Sequence, residues 1–209
     1  MQHIINNIIQ KLKEPLPGET AQYIMAPSER GKLADYGDAS KFKMSAVLLV
    51  ICRDEDNELF IPLTERFAYD GVHSGQVSLP GGKFEPADGD LTATALRECE
   101  EEIGLKDNVQ ILGTLSRLYI PVSNFLVQPV VAYCTSPHVF MTPHVREVKQ
   151  IVRLYLDALM DEALVKDGMI TVFNNGKRKA PYFEIEGLKV WGATAMILSE
   201  FKVLLKTIS

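Results

Sequence analysis

An acidic run at helical spacing constrains this chain more than any other stretch of its sequence. Residues 97–105 read Arg-Glu-Cys-Glu-Glu-Glu-Ile-Gly-Leu. If residues 91–103 form a helix, the side chains of Glu98, Glu101 and Glu102 stand at i, i+3 and i+4 and share one face. Carboxylates at that spacing repel one another by roughly a few tenths of a kcal/mol per pair. We therefore expect the helix to hold a cation against this face.

The residues around the glutamates indicate the kind of cation. Arg97 lies four residues before Glu101 and offsets part of the negative charge. The remaining donors are carboxylate oxygens, which suit a hard divalent ion such as Mg²⁺ or Mn²⁺. The opposite side of the helix carries Ala93, Leu96, Cys99 and Ile103. The pattern predicts a helix that is buried on its apolar side, opens to a cleft on its acidic side and ends at Gly104. The competing interpretation is an acidic face in solvent, where charge runs usually lie.

A glycine pair precedes the acidic run. Pro80, Gly81 and Gly82 lie upstream of the motif at residues 97–105. Together the two segments resemble the Nudix box, the signature of hydrolases that cut nucleoside diphosphates linked to another moiety. The resemblance covers about residues 40–206. It implies an α/β fold of the Nudix type, an α/β/α sandwich with a mixed β-sheet, which the succession of predicted strands and helices also favours.

The resemblance implies a metal site. Glu98, Glu101 and Glu102 match the metal-binding glutamates of the family, and the backbone carbonyl of Gly81 or Gly82 adds a ligand. Glycine suits that position because it lets the backbone approach a metal or a phosphate closely. The alternative is a tight turn without a ligand. The expected cofactor is Mg²⁺ or Mn²⁺.

The same resemblance implies that Arg97, Glu101 and Glu102 are the catalytic residues. Arg97 matches the family arginine that orients the carboxylates by hydrogen bonding, a task that suits its planar guanidinium better than a lysine. The general base is open among Glu102, Glu147 and His73. His73 is equally a candidate for bracing its own loop.

One position departs from the general box. The glutamate expected eight residues before Arg97 is Gly89 here, because the loop between the glycine pair and the helix is one residue longer than usual. The neighbouring acids are Glu85, Asp88 and Asp90. We interpret them as residues of loop structure first and as metal ligands second.

The longer loop resembles that of one branch of the family, the coenzyme A diphosphatases. Further segments that resemble this branch are residues 63–66, 73–80, 127–131 and 190–195. The expected substrate-binding residues are Arg66, His73, Gln76, Gly82 and Lys83. The expected reaction converts coenzyme A or acyl-coenzyme A to adenosine 3',5'-bisphosphate and (acyl-)4'-phosphopantetheine. The chain departs from the branch at Phe67, Gly71 and Leu79, and the missing arginine at position 71 puts one contact to a substrate phosphate in doubt.

Other functions compete with this one. ADP-ribose, an NDP-sugar or another nucleotide is the alternative substrate within the family. A nucleotide-sensing Nudix domain without catalysis is the alternative from another class, but such domains usually lose box glutamates that this chain keeps. Lys177, Arg178 and Lys179 on a predicted hairpin suit phosphate binding, although a solvated turn is the favoured interpretation.

Composition narrows the partner and the compartment. The formal net charge of -5 offers no positive field for a nucleic acid polymer, so a small nucleotide partner brought in by metal is expected. The chain has three cysteines, Cys52, Cys99 and Cys134. An odd number of widely spaced cysteines does not suggest a disulfide framework, so a reduced, cytoplasmic setting is predicted. No segment reaches 18 apolar residues and no leader pattern is present, so neither membrane nor secretion is expected.

Hydrophobic spacing divides the chain near residue 38. Residues 1–38 are predicted to hold a short helix and a connecting loop, and residues 39–209 a Nudix hydrolase domain. The predicted helices cover residues 2–13, 91–103, 158–166 with Asp157 as N-cap, and 192–206. The predicted strands cover residues 43–52, 58–64, 109–118, 125–133, 147–156, 170–173 and 181–185. The first helix is expected to pack on the domain or on a second copy of the chain, so a homodimer is one expectation.

Overall fold

Strands and helices follow one another along the chain as the hydrophobic pattern predicts. The computed structural model describes residues 2–27, 37–38, 41–67, 75–136, 139–172 and 176–208. Its helices are α1 (Gln2–Lys11), α2 (Gly18–Gln22), α3 (Leu91–Ile103), α4 (Leu156–Met160) and α5 (Gly192–Lys206). Its strands are β1 (Lys43–Arg53), β2 (Leu59–Arg66), β3 (Val77–Ser78), β4 (Gly81–Lys83), β5 (Val109–Thr114), β6 (Leu118–Ile120), β7 (Phe125–Cys134), β8 (Val148–Tyr155), β9 (Val165–Val172), β10 (Gly176–Ile185) and β11 (Leu188–Val190). Within these ranges, no helix is both long enough and apolar enough to span a membrane.

β1 is the centre of a mixed sheet. It pairs in parallel with β7 and antiparallel with β2 and β4. β3 and β8 extend the sheet beyond β2, while β5 and β6 pair with β7. A smaller antiparallel sheet has the order β11-β10-β9. The continuous apolar run at residues 46–51 explains the central place of β1, because a strand covered on both faces has no solvent side.

Different helices cover the two faces of the mixed sheet. Along β1, Leu48 and Val50 pack in the core cluster that holds the apolar side of α3. Leu49 and Ile51 pack on the other face, in the cluster that includes residues of α1 and α5. This alternation places the sheet between two helical layers. The predicted α/β/α sandwich with a mixed sheet is confirmed.

The predicted helix 158–166 is present only in part: residues 158–160 lie in α4, residues 162–164 form a 3₁₀ turn, and the chain is extended from Val165 onward. α4 begins before Asp157, and no side chain caps it. Asp161 has extended backbone, and from Val165 onward the chain pairs with β10 as β9. The apolar spacing suits a helix locally, but pairing with β10 satisfies the backbone N–H and C=O groups along the whole strand. Tertiary pairing therefore overrides the local preference.

Other segments are divided differently from the prediction. The predicted strand 109–118 is two strands, β5 and β6, separated by residues 115–117. The connecting loop predicted within residues 1–38 contains α2 and a short 3₁₀ turn, Tyr23–Met25. β9 and β10 form the predicted hairpin with longer strands, and residues 173–175 of its turn lie outside the described residues.

A buried carboxylate joins the N-terminal segment to α5. Glu200 is 0% exposed and accepts hydrogen bonds from the backbone N–H groups of Gly18 at 3.1 Å and Ser116 at 3.2 Å. It also accepts one from Gln22 Nε2 at 2.9 Å. The domain boundary at residue 38 stays a prediction, but the segment before it packs against the core.

Candidate active site

Local sequence signals fix both ends of α3. The helix covers the predicted residues, Leu91–Ile103. Asp90 occupies the N-cap, where its side chain accepts a hydrogen bond from the backbone N–H of Ala93 at 2.8 Å. Gly104 follows the last turn with φ of 71°, the left-handed C-cap that glycine adopts without steric cost. The acidic side chains are therefore presented by a well-defined helix.

The glycine pair brings the backbone of β4 against this helix. Gly81 packs so closely on β1 that a Cβ there would meet the backbone of Ala46 and Val47. A Cβ at Gly82 would lie closer than 3.0 Å to the carboxylate of Glu98. Glycine is needed at position 82 because the Glu98 carboxylate occupies the space that a side chain would take.

Arg97 links the acidic face to the preceding loop. Its Nε and Nη2 atoms donate to the two carboxylate oxygens of Asp88 at 2.7 and 3.1 Å. Nη2 also donates to the backbone carbonyl of Lys83 at 3.1 Å. Nη1 donates to Glu98 at 2.8 Å and to Glu101 at 3.2 Å. The planar guanidinium thus holds two of the predicted metal ligands in a fixed relation to β4.

Asp88 is the anchor of this arginine. Its side chain is only 4% exposed, and it also accepts hydrogen bonds from Thr94 Oγ1 at 2.8 Å and from the backbone N–H of Glu85 at 2.9 Å. The Arg97 guanidinium, followed by the Glu85 N–H, holds the pKa of Asp88 well below its usual range. Asp88 and Asp90 therefore stabilise the loop and the helix start, which supports their interpretation as residues of loop structure.

Glu102 is the buried member of the acidic face. It is 2% exposed, and it accepts hydrogen bonds from Arg66 Nη2 at 2.5 Å and from Thr64 Oγ1 at 3.3 Å. Burial raises the pKa of Glu102 to about 7, the charges of Glu98 and Glu147 add to the rise, and Arg66 and Thr64 oppose it. A further cation beside this carboxylate would offset the free-energy cost of burying its negative charge.

The donor atoms are of the kind that a hard divalent ion prefers, but their present positions do not form a complete ligand set. The side chains of Glu98 and Glu101 are 18% and 58% exposed, and burial raises the pKa of Glu98. In the described part of the chain, no three His, Cys, Asp or Glu side chains already form a metal-binding group. Arg97 bridges Glu98 and Glu101, and Arg66 holds Glu102. An ion bound here would contact only oxygen donors, and two of the carboxylates, Glu98 and Glu102, are partly or fully buried. The ion would replace at least one of the arginine contacts.

A cavity of about 680 Å³ borders the site. The predicted site residues that line it are Arg66, Gln76, Gly81, Gly82 and Lys83. His73 lies outside the described residues. The floor of the cavity is apolar. It is formed by side chains of β1, β6 and β7, among them Val47, Ile120, Phe125 and Val127. The site therefore joins a polar end, near the glycine pair, to an apolar surface.

Part of the cavity wall comes from residues that the sequence analysis did not assign to the site. Trp191 and the first residues of α5 line it, as does Arg178 of β10. The interpretation of Arg178 as part of a solvated turn is thus incomplete, because this residue is exposed and also borders the cavity. Lys179, by contrast, pairs with Asp167 at 2.9 Å on the hairpin itself. Thr64, the partner of Glu102, was likewise missed, and its place in the upstream Leu-Thr-Glu-Arg segment was the available signal.

The loop before β8 approaches the same helix. The backbone N–H of His144 donates to the carbonyl of Glu102 at 2.9 Å, and that of Thr142 donates to Ile103 at 2.9 Å. These bonds satisfy carbonyl groups of the last helical turn. They also bring Glu147 close enough for its charge to raise the pKa of Glu102.

Comparison with known proteins gives the family and the fold of this chain. Residues 42–166 match the family described as the NUDIX domain. The chain is 34% identical over 159 residues to NudL, an uncharacterized Nudix hydrolase of Photorhabdus laumondii, with coverage of 75% of this chain and 81% of the relative. It is 33% identical over 167 residues to the mitochondrial Nudix hydrolase 15 of Arabidopsis thaliana, with coverage of 77% and 58%. A solved MutT/nudix family protein from Enterococcus faecalis matches with a TM-score of 0.52 at 14% identity, over 90% of this chain and 74% of that one, a likeness of fold alone.

Proposed function

Because the chain belongs to the Nudix hydrolase family, whose members hydrolyse pyrophosphate bonds, we propose that it is a metal-dependent diphosphatase of nucleoside diphosphate derivatives. The preferred substrate in this proposal is coenzyme A or an acyl-coenzyme A. Hydrolysis of its diphosphate gives adenosine 3',5'-bisphosphate and 4'-phosphopantetheine or its acyl form.

One observation carries the proposal: the acidic helix face lies directly behind the glycine pair that lines the cavity, so its glutamates are next to the cavity without forming its wall. The Glu98 carboxylate lies against Gly82, which lines the cavity, and the Glu102 carboxylate is bound by Arg66, which lines it too. Clustered carboxylates next to cationic side chains suit a diphosphate group bridged to the protein by a divalent ion.

In the proposed mechanism, Glu98, Glu101, Glu102 and the carbonyl of Gly81 hold Mg²⁺ or Mn²⁺. When bound, such an ion lowers the pKa of a water molecule and neutralises charge on the phosphoryl oxygens. Arg97 keeps the carboxylates in place from its anchor on the loop. Its contribution is positional, since it faces the glutamates.

The substrate-binding residues follow from the cavity wall. Arg66, Gln76 and Lys83 border the cavity and are proposed to bind the diphosphate, while Gly82 lets it approach the backbone closely. His73 stays a prediction of the same kind. The general base is proposed to be Glu102, with Glu147 as the alternative.

The size and the lining of the cavity support a substrate with a partly apolar arm. Its volume of about 680 Å³ lies within the range of roughly 300–1,000 Å³ that small-molecule sites occupy. The pantetheine arm of coenzyme A suits the apolar floor beside Ile120 and Phe125. ADP-ribose and NDP-sugars carry polar groups on both sides of the diphosphate and would leave that floor unmatched.

The remaining proposals concern partners and setting. A small nucleotide rather than a nucleic acid polymer is proposed because the net charge is -5. A cytoplasmic setting is proposed because the cysteines are free thiols buried in the core. A homodimer through α1 is also proposed, although Ile5 and Ile8 of this helix are already buried in the chain's own core.

Activity measurements test the proposed function. The protein is incubated with coenzyme A and Mn²⁺, and the expected product is adenosine 3',5'-bisphosphate, detected by chromatography. Glu101→Gln and Glu102→Gln should abolish turnover, whereas Glu100→Gln, on the same helix and paired with Lys106, should keep it. Cleavage of ADP-ribose or an NDP-sugar without cleavage of coenzyme A would refute the substrate. Nucleotide binding without any cleavage would support the sensing function instead.

A further inference from the structure

Trp191 lies between a small apolar cluster and the cavity. It is the only tryptophan of the chain, and it follows β11 and directly precedes α5. Its side chain packs against the cluster formed by Ile170, Ala180 and Tyr182 of β9 and β10. Trp191 and Ile170 also line the cavity. The cluster therefore holds a large aromatic side chain at the cavity wall.

β11 brings Trp191 to the side of the cavity where β3 lies. β11 contacts β3, and β3 leads through Leu79 and Pro80 into the glycine pair of β4. β3 pairs with β2 and β4 pairs with β1, so this stretch of chain lies between β2 and β1. Arg66 and Gln76, which are proposed to bind the diphosphate, line the cavity on this same side. Trp191 is therefore placed beside the diphosphate end of the cavity.

The apolar floor extends from the glycine pair in the other direction. From β4 it crosses β1 and β7 to β6, each strand paired with the next. At about 4.8 Å between neighbouring strands, β6 is roughly 14 Å from β4. α5 gives the same order, because Glu200, nine residues after Trp191, accepts a hydrogen bond from Ser116 just before β6. The floor beside Ile120 and Phe125 and the wall at Trp191 thus lie on opposite sides of the glycine pair.

Trp191 is better suited than Phe125 to stack on a planar ring. Among the described residues, these two are the aromatic side chains that line the cavity. Lys43 Nζ lies 5.9 Å from the centroid of the Phe125 ring, so one cation already lies against that ring. The ring and cation contacts within the described part of the chain do not include Trp191. A flat ligand group in the cavity would therefore compete with no other ring or cation for the indole.

The two arms of a nucleoside diphosphate derivative need different surfaces. A nucleobase is planar and stacks on aromatic side chains, because every base has a π-face. The pantetheine arm is a flexible chain, which suits the apolar floor. The diphosphate joins the two arms, so in an extended substrate they leave it in opposite directions. The two sides of the glycine pair match this division.

We propose that Trp191 stacks on the adenine ring of the substrate, so that the nucleoside lies on the β3 side of the glycine pair and the pantetheine arm lies over the floor. The inference rests on the proposed function, since it assigns the two halves of the same substrate. It also makes Trp191 a residue that selects for a nucleotide, because a diphosphate without a planar base would leave the indole unmatched.

Binding measurements test this arrangement without relying on turnover. Adenosine 5'-monophosphate and ribose 5-phosphate both carry a phosphate and differ by the base. Calorimetry in the presence of Mn²⁺ should show about 10-fold tighter binding of the nucleotide, as one stack of a base on an aromatic ring implies. The nucleotide, but not ribose 5-phosphate, should also change the fluorescence of Trp191, the only indole of the chain. Equal affinities, or a fluorescence that does not distinguish the two ligands, would overturn the inference.

Substitutions on the two sides of the cavity separate the two arms. Trp191→Leu keeps an apolar side chain against the cluster but removes the ring, so it should abolish most of the preference for the nucleotide. Trp191→Phe keeps a ring and should retain most of it. Phe125→Leu is the matched control on the floor, and it should weaken binding of 4'-phosphopantetheine and leave that of adenosine 5'-monophosphate unchanged. A nucleotide preference that survives in Trp191→Leu, or a loss of 4'-phosphopantetheine binding there instead, would contradict the assignment.

Turnover separates failure of this inference from failure of the proposed function. If the wild type cleaves coenzyme A and Trp191→Leu does so with an unchanged KM, the proposed function stands and the stacking role is refuted. If coenzyme A is not cleaved but binding of adenosine 5'-monophosphate still depends on the ring at position 191, the proposed function fails and the stacking role stands.

Discussion

Replacing Glu102 with glutamine should stabilise the metal-free protein above neutral pH, although it removes a proposed metal ligand. Burial raises the pKa of Glu102 from 4.5 to about 7. The folded state therefore binds this proton more tightly than the unfolded state does. The stabilisation from that proton is complete below pH 4.5 and is lost as the pH rises through 7.

The size of the effect follows from the shift. At about 1.4 kcal/mol per pKa unit, the change from 4.5 to about 7 corresponds to roughly 3 kcal/mol of stability lost by pH 8. Glutamine has no charge to desolvate, and its amide oxygen still accepts a hydrogen bond from Arg66. The glutamine side chain lacks the electrostatic attraction between Glu102 and Arg66. We therefore expect the free energy of unfolding to rise by about 1–3 kcal/mol at pH 8 and to stay unchanged at pH 5.

Urea unfolding in the presence of a chelator, from pH 5 to pH 8.5, measures this difference. Glu101→Gln is the control, because that side chain is exposed and its replacement should change stability by less than about 0.5 kcal/mol. Addition of Mn²⁺ should reverse the order, since an ion that binds only the folded wild type stabilises it. Parallel pH profiles for the wild type and Glu102→Gln without metal would refute the reasoning.

Three further substitutions test the site and its support. Arg97→Lys should lower kcat/KM at least about 100-fold, because lysine cannot bind Asp88 through two parallel hydrogen bonds; steady-state kinetics measure this, and a loss below tenfold would contradict it. Gly82→Ala should weaken Mn²⁺ binding about 10-fold or more in a metal titration, because the added methyl group displaces the Glu98 carboxylate; unchanged affinity would count against Glu98 as a ligand. Glu200→Ala should lower the free energy of unfolding by about 2–4 kcal/mol, because it leaves buried N–H donors without an acceptor; equal denaturation midpoints would disprove this role.

Local signals were sufficient to place α3. The acidic spacing, the apolar residues opposite and Gly104 predicted α3 within its observed bounds. The anchoring of Arg97 was not predictable in the same way. It depends on the 3₁₀ turn at Pro86–Asp88, which folds back so that Asp88 receives the guanidinium across nine residues of chain. Sequence alone identified Asp88 as a loop acid but not as a partner of the arginine.

Segments whose structure depends on distant partners were predicted less well. Residues 158–166 have helical spacing, yet the α-helix ends at Met160 and the chain is extended from Val165, where β9 pairs with β10. Thr194 and Arg178 reach the cavity from elements far along the chain from the glycine pair, and no periodicity relates them to it. These contacts form only when the sheet and its helical layers close, so they required coordinates.

The Glu200 contacts limit how far this enzyme can be shortened for laboratory work. A protein that starts at residue 39 would lack Gly18 and Gln22, which donate hydrogen bonds to the buried carboxylate of Glu200. It would keep Glu200 without these two donors. It would also discard Pro27, which forms part of the cavity wall. Poor yield or weak turnover from such a trimmed protein would reflect a damaged pocket, so assays of substrate preference belong on the chain with its first 38 residues intact.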